Sequence, residues 1–429
     1  MAVLPPPNSD FVQPTLLCST PWRYPYYNDA FQANGTALLS GGLWKGLMRP
    51  LLPALYIEWR YYSVISKAFH GIVGLALVNP HNRFAAIAES GVLVILVGVI
   101  NSPRDSANFV AQLGTPQHRE ICWMHMFPTA SCAFDDPQEG SLAAHHEGVS
   151  LRIDHPSTQK AIIKLGSESG LAVDLTHSGV LGSEIPPALA EDLRRVPAAH
   201  WTVYCPSPLA ESTGSITLSS EFAKEITSSP DALNPNSISG SLVDDIGSGD
   251  LTLEWQQASG YYEHSFGINP LPLHGWDFLF APDFARKQSI VLQTYPRSQQ
   301  LRFLEVLWSQ DDQLRYARFD AQHLKLDWAE SALDPLIGVK LPTKRVIRAK
   351  QYGLRIEVEN RIVYQIPLLR PHKLAVRHFF ISEQIAFTDW QLSDQNGHIL
   401  AQATDHPSGG ELAHVRLRTP DYRRARQSR

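Results

Sequence analysis

Apolar and polar residues alternate with a period of two along most of this chain, the mark of strands with one buried face. The stretch Tyr56–Tyr62 (YIEWRYY) sets the theme: Glu58, Arg60 and Tyr62 share one face, and Ile57, Trp59 and Tyr61 the other. Gly260–Gly267 (GYYEHSFG) sorts the same way, with Tyr261, Glu263 and Ser265 on one side and Tyr262, His264 and Phe266 on the other. We expect both to be strands that line one apolar cavity and supply its few polar groups. Further strands are expected at 57–65, 71–78, 85–88, 152–163, 172–175, 200–205, 215–227, 251–256, 289–295, 301–308, 314–319, 324–328 and 345–350. Gly91–Ile100 (GVLVILVGVI) is β-branched and apolar throughout, so it reads as a strand buried on both faces, and it is too short to cross a bilayer as a helix. Leu354–Glu359 and Arg361–Ile366 alternate cleanly and predict a hairpin turning at Asn360.

The intervals between these stretches are short and rich in turn residues. Pro187–Arg195 is the best helix candidate, with Pro186 and Pro187 at its start and acidic Glu191 and Asp192 within it. Residues 101–148 look irregular, and Ser228–Gly249 has the composition of a long loop or domain junction. Strands joined by short turns, with few helical spacers, predict an antiparallel all-β chain of barrels or sandwiches rather than a Rossmann or TIM architecture. At 429 residues the chain exceeds what one core usually serves, so two domains are expected. The expected division is an extended segment at 1–40, β domains at 41–240 and 241–415, and a basic tail at 416–429.

Charge and cysteine content narrow the class. A net charge of -5 gives no reason to expect nucleic acid. Cys18, Cys122, Cys132 and Cys205 fit no zinc or redox spacing, so reduced, structural cysteines are expected, with a Cys122–Cys132 disulfide as the alternative. The N-terminus has no basic segment followed by an apolar core, which predicts a cytoplasmic protein without stable membrane insertion.

Candidate chemistry is sparse. The chain has no G-x-G-x-x-G after a strand, no P-loop, no H-E-x-x-H and no G-x-S-x-G. His145-His146-Glu147 would chelate poorly on a strand, where neighbours point to opposite faces, so no metal is expected. Glu58 and Arg60 are read either as a structural ion pair or as a carboxylate tuned by its neighbour. Glu263 and His264 offer a proton or hydrogen-bond donor, or else belong to a structural network. Trp59, Tyr61, Tyr261, Tyr262, Trp276 and Trp308 are plain core, or the walls of a pocket for an apolar ligand.

Ile57–Tyr62 (IEWRYY) resembles the E-W-W-Y segment of the family of carotenoid 1,2-hydratases and their lipocalin-like relatives. Those relatives include fungal Diels–Alderases and, more distantly, tocopherol cyclases. Gly260–Gly267, followed by Trp276, is similar to the family's later G-x-x-D-H-x-W-G segment. Arg60 stands where the family often has a second Trp, Glu263 where it has Asp, and Phe266 where it has Trp. The order and separation of the motifs extend the resemblance over roughly residues 40 to 400. It implies a pair of lipocalin-like barrels with a large apolar pocket. It also implies action on a hydrophobic small molecule without a cofactor, by cycloaddition, hydration or proton-started ring closure. Under it Glu58, Arg60, Tyr62, Glu263 and His264 are the catalytic candidates, and Trp59, Tyr61, Tyr261, Tyr262, Trp276 and Trp308 the substrate-binding ones. A carrier that only holds such a ligand is the non-enzymatic alternative.

Overall fold

A computed structural model describes residues 56–78, 90–100, 119–134, 140–157, 159–180, 191–192, 200–228, 237–238, 242–243, 246–247, 249–268, 276–295, 298–334, 339–369 and 377–417. Nearly all of them are strand, and every strand pair is antiparallel. They belong to two compact units, one within Ser9–Pro270 and the other within Leu271–Arg429.

The first unit holds β1 (Tyr56–Ile65), β2 (Phe69–Val78), β3 (Gly91–Ile100), β4 (Arg119–Pro128), β5 (Cys132–Ala133), β6 (Leu142–His146) and β7 (Val149–Ser157). It continues with β8 (Lys160–Ser167), β9 (Leu171–Gly179), β10 (Glu191–Asp192), β11 (His200–Leu218), helix α1 (Ser220–Ser228), β12 (Ser237–Ile238) and β13 (Leu251–Ile268). Its sheet runs β12-β4-β3-β2-β1-β13-β11-β9-β8-β7-β6-β5, with β10 on β11. It curls into a nearly closed barrel, because β4 leads through a 3-10 turn at Thr129–Ser131 into β5. The His125 and His146 rings of β4 and β6 lie 5.8 Å apart across that seam.

Alternation decides what lies inside. Strands β7 and β9 bury every second residue, among them Leu151 and Ile153 on one and Val173 and Leu175 on the other. These join Val64, Leu75, Val94, Leu96 and Trp123 in one hydrophobic core. Strand β3 is buried along its whole length, as its unbroken apolar run predicts. Pro206 and Pro208 interrupt β11, since proline has no N–H for the ladder, and the β11–β13 register shifts there. Helix α1 turns Phe222, Ala223 and Ile226 into the same core. The Ser219 hydroxyl accepts the Phe222 N–H at 3.1 Å at its start, an N-cap.

The second unit holds β14 (Trp276–Asp283), β15 (Gln288–Tyr295), β16 (Ser298–Gln310), β17 (Gln313–Asp320) and β18 (Leu324–Asp334). It ends with β19 (Val339–Gln351), β20 (Leu354–Leu369), β21 (Arg377–Asp394) and β22 (Ile399–Leu417). Their sheet order is β17-β16-β15-β14-β22-β21-β20-β19-β18, a half-barrel around Leu279, Leu292, Leu304, Ile347, Ile356 and Trp390. The expectation of two all-β, lipocalin-like units is met.

Several local expectations are corrected. The boundary expected at 240/241 falls instead after Pro270, because β13 pairs along its length with β1 and β11 of the first sheet. The expected helix at 187–195 contains Glu191 and Asp192, which pair as strand with Val203 and Thr202. The strand expected over 215–227 stops at Leu218 and gives way to α1, whose Phe222, Ala223 and Ile226 follow helical spacing. The supposedly irregular 101–148 contains β4, β5 and β6. No turn occurs at Asn360: β20 runs straight through it, and the hairpin lies at Tyr352–Gly353, both at positive φ. Asn360 is held in the strand because its buried side chain accepts from Arg345 and donates to Thr388. Cys122, Cys132 and Cys205 are free thiols, as expected, and the disulfide alternative falls away. The expected strand at 85–88, the segment at 1–40 and the tail beyond Leu417 lie outside the described residues.

Candidate active site

Strand period and sheet register together build a polar band inside the first barrel. Glu58, Arg60 and Tyr62 point inward from β1, and all three are fully buried. In the adjacent strand, Arg60 pairs with His264 and Tyr62 with Tyr262, so the inward faces of both motifs coincide. His264 Nε2 meets Glu58 Oε1 at 2.6 Å across this pair. The Tyr62 and Tyr262 rings stack face to face, 4.6 Å apart and 4° from parallel.

Two further histidines enter this band from the far strands. The Tyr62 hydroxyl and His155 Nε2 hydrogen-bond at 2.9 Å. The His177 ring meets Tyr62 edge-on, with centroids 6.0 Å apart. Neither histidine stood among the sequence candidates. Both continue the inward phase of their strands, His155 after Leu151 and Ile153, and His177 after Val173 and Leu175. A histidine in the apolar phase of an alternating strand is the signal that marks them.

The electrostatics follow from burial. Burial opposes the charge of Arg60, yet the nearby Tyr262, Tyr62 and Glu58 hold its pKa above the ordinary arginine value. Burial pushes the Tyr62 phenol well up, and Tyr262 rises for the same reason despite the opposing Arg60 charge. Both tyrosines therefore stay neutral. Burial lowers His155 well below its usual value, and Arg60 and His264 add to that effect. Burial alone takes His177 down to about 3.

These two histidines predict acid lability. Each is neutral in the fold but takes up a proton near pH 6.5 once unfolded, so unfolding binds more protons as the pH drops. The stability they contribute is complete above that pH. For His177 it is lost between about pH 6.5 and about pH 3, at roughly 1.4 kcal/mol per pH unit. Denaturation of wild type and His177→Phe across this range checks it: the variant should show the shallower fall.

The remaining sequence candidates lie elsewhere. Glu263 points to the opposite face of β13, where it accepts from the Tyr261 hydroxyl at 2.8 Å and from Ser265. Burial raises its pKa. Tyr61 shares that opposite face, and its ring meets Tyr261 edge-on at 6.3 Å; Trp59, two residues back on β1, falls on the same face. Trp276 and Trp308 belong to the second unit: the Trp276 indole N–H donates to Glu411, and Trp308 packs in the half-barrel core. The structure thus joins Glu58, Arg60, Tyr62, Tyr262 and His264 inside one barrel. Trp59, Tyr61, Tyr261 and Glu263 occupy its other face. Among the described residues no group of three or more His, Cys, Asp or Glu is placed to hold a metal ion. None of their helices is long and apolar enough to cross a membrane.

One nearly closed antiparallel barrel and one half-barrel are consistent with lipocalin-like all-β domains. Among solved structures, the chain is similar to CghA, a Diels–Alderase, at 13% identity over 85% of this chain and 89% of that one, with a TM-score of 0.52. CghA with Sch210972 matches at 12% identity over 84% and 88% of the two chains, with a TM-score of 0.50. Kievitone hydratase from Nectria haematococca matches at 9% identity over 85% and 89%, with a TM-score of 0.46. No protein-family model and no curated protein sequence matches the chain.

Proposed function

We propose that this protein is a cofactor-independent cyclase, an isomerase of the Diels–Alderase or pericyclase kind. Its substrate is a hydrophobic polyene of natural-product biosynthesis, and its site of action is the cytoplasm. The observation that carries this reading is one polar band, Arg60, Tyr62, Tyr262 and His264 with Glu58, His155 and His177, buried together against the hydrophobic core of the barrel. Such a site suits a long apolar substrate with one polar end. The apolar wall holds a reactive fold of the chain, which alone supplies much of the rate in a unimolecular ring closure. Arg60 or Tyr62 hydrogen-bonds a substrate carbonyl and stabilises the charge that develops on it. The likeness to CghA supports the reading at the level of the fold.

One observation favours a second reading. The Glu58–His264 contact at 2.6 Å is a buried carboxylate–imidazole pair able to hold a proton. That suits a hydratase or a proton-initiated cyclase of a carotenoid or terpenoid. Comparative mass spectrometry of a producing host with and without the gene tests both. The cyclase reading expects the lost product to be replaced by a precursor of the same mass, with no solvent deuterium in the product. A product heavier by one water, or labelled from deuterated solvent, selects the second. If no small molecule changes, catalysis is ruled out and the chain is a ligand carrier.

A further inference from the structure

Two pairs of polar side chains in the barrel interior hold one another. Glu58 holds His264, and Tyr62 holds His155. His177 stands apart from both pairs. Its ring is 1% exposed, and neither Nδ1 nor Nε2 has a hydrogen-bond partner. A buried polar atom without a partner disfavours folding, and an apolar side chain of similar size would pack there without that cost. Val173 and Leu175 do so at the preceding inward positions of β9.

The neighbouring backbone is shaped around this ring. Gly260 of β13 faces it, and a methyl group added there would collide with the imidazole, Cε1 first and then both nitrogens. The ring therefore reaches its place beside Tyr62 only because residue 260 has no side chain. A ring admitted in this way, next to the Tyr62–Tyr262 stack and with both nitrogens unused, is aimed at something that arrives from outside the fold.

We infer that His177 contacts the substrate, its imidazole hydrogen-bonding an oxygen, carbonyl or hydroxyl, of an apolar ligand held against the Tyr62–Tyr262 stack. The inference rests on the barrel-interior site proposed above and adds to it a substrate-contacting residue, His177, and the place of the ligand's oxygen function, beside the Tyr62–Tyr262 stack. The chemistry of the ring agrees. Held neutral by burial, it offers one N–H donor and one acceptor nitrogen, which suits an uncharged oxygen group.

The test uses the full-length protein and two probes of matched shape, 2-acetylnaphthalene and 2-ethylnaphthalene, titrated by fluorescence. Wild type is expected to bind both. His177→Phe should weaken the ketone by about fivefold and the hydrocarbon by less than about twofold, the size of one lost hydrogen bond. Gly260→Ala, which keeps every polar group but displaces the ring, should give the same selective loss, and melting curves report whether each variant is folded. Equal changes for both probes, or none, would show that His177 only packs and overturn the inference while leaving the pocket intact. If wild type binds neither probe, the apolar-pocket reading itself fails and takes this inference with it.

Discussion

Arg345→Leu should destabilise the second unit by about 3–5 kcal/mol, the usual cost of removing one partner from a buried ion pair. Arg345 and Asp277 are both fully buried on the inward faces of β19 and β14. The guanidinium donates to Asp277 twice, once from Nε at 3.2 Å and once from Nη2. Its Nη1 donates to Asn360 at 2.8 Å, and Nη2 also donates to Gln384. The Trp328 indole N–H donates to Asp277 at 2.8 Å. A leucine would leave the carboxylate with Trp328 as its main donor and would take the donor from Asn360 and Gln384. The pair itself is a weak source of net stability, because burying two charges costs about what their attraction returns. The double variant Arg345→Leu/Asp277→Leu should therefore recover a large part of the loss. Urea unfolding followed by tryptophan fluorescence gives both numbers. A single-variant loss below about 1 kcal/mol would mean that water replaces the guanidinium and that the network is not fully dry.

Period two made the faces legible and left the partners hidden. Alternation alone places Glu58, Arg60 and Tyr62 together, and likewise Tyr262 and His264, because successive side chains on a strand must point oppositely. It cannot say that Arg60 will sit beside His264, or that Glu58 will meet the His264 ring, since that contact joins residues 206 apart in sequence. Alternation does separate Glu263 from His264, but only the register shows which of the two faces lines the barrel, so that His264 joins the site and Glu263 does not. His155 and His177 escaped notice although their positions in phase with Leu151, Ile153, Val173 and Leu175 were readable. Asn360 misled for the opposite reason. Asparagine favours turns when its side chain is free to bond its own backbone, and here Arg345 and Thr388 occupy that side chain. Helix α1 was lost among strands because a segment of nine residues gives little more than two turns of pattern.

Arg60→Leu should cut product formation in the host at least about a hundredfold, the scale on which a lost transition-state donor is felt. Arg60 is the fixed charge of the barrel interior: it is fully buried, opposite His264 in register, and held charged by Tyr262, Tyr62 and Glu58. Two roles are separable by experiment. If the guanidinium only balances Glu58, its removal costs folding stability, and Glu58→Gln/Arg60→Leu together should restore both stability and turnover. If it binds the substrate oxygen, the double variant folds but stays inactive. Arg60→Lys sharpens the choice, since an ammonium supplies the charge without the planar fork of donors. Under the cyclase reading Lys restores little turnover and Glu58→Gln alone is mild, because no proton is transferred. Under the proton-initiated reading the order reverses: Glu58→Gln abolishes the product, and Arg60→Lys keeps a substantial part of it. Mass spectrometry of product from each variant, beside melting curves of the purified proteins, separates the two, and a wild-type yield from Arg60→Leu would remove Arg60 from the mechanism.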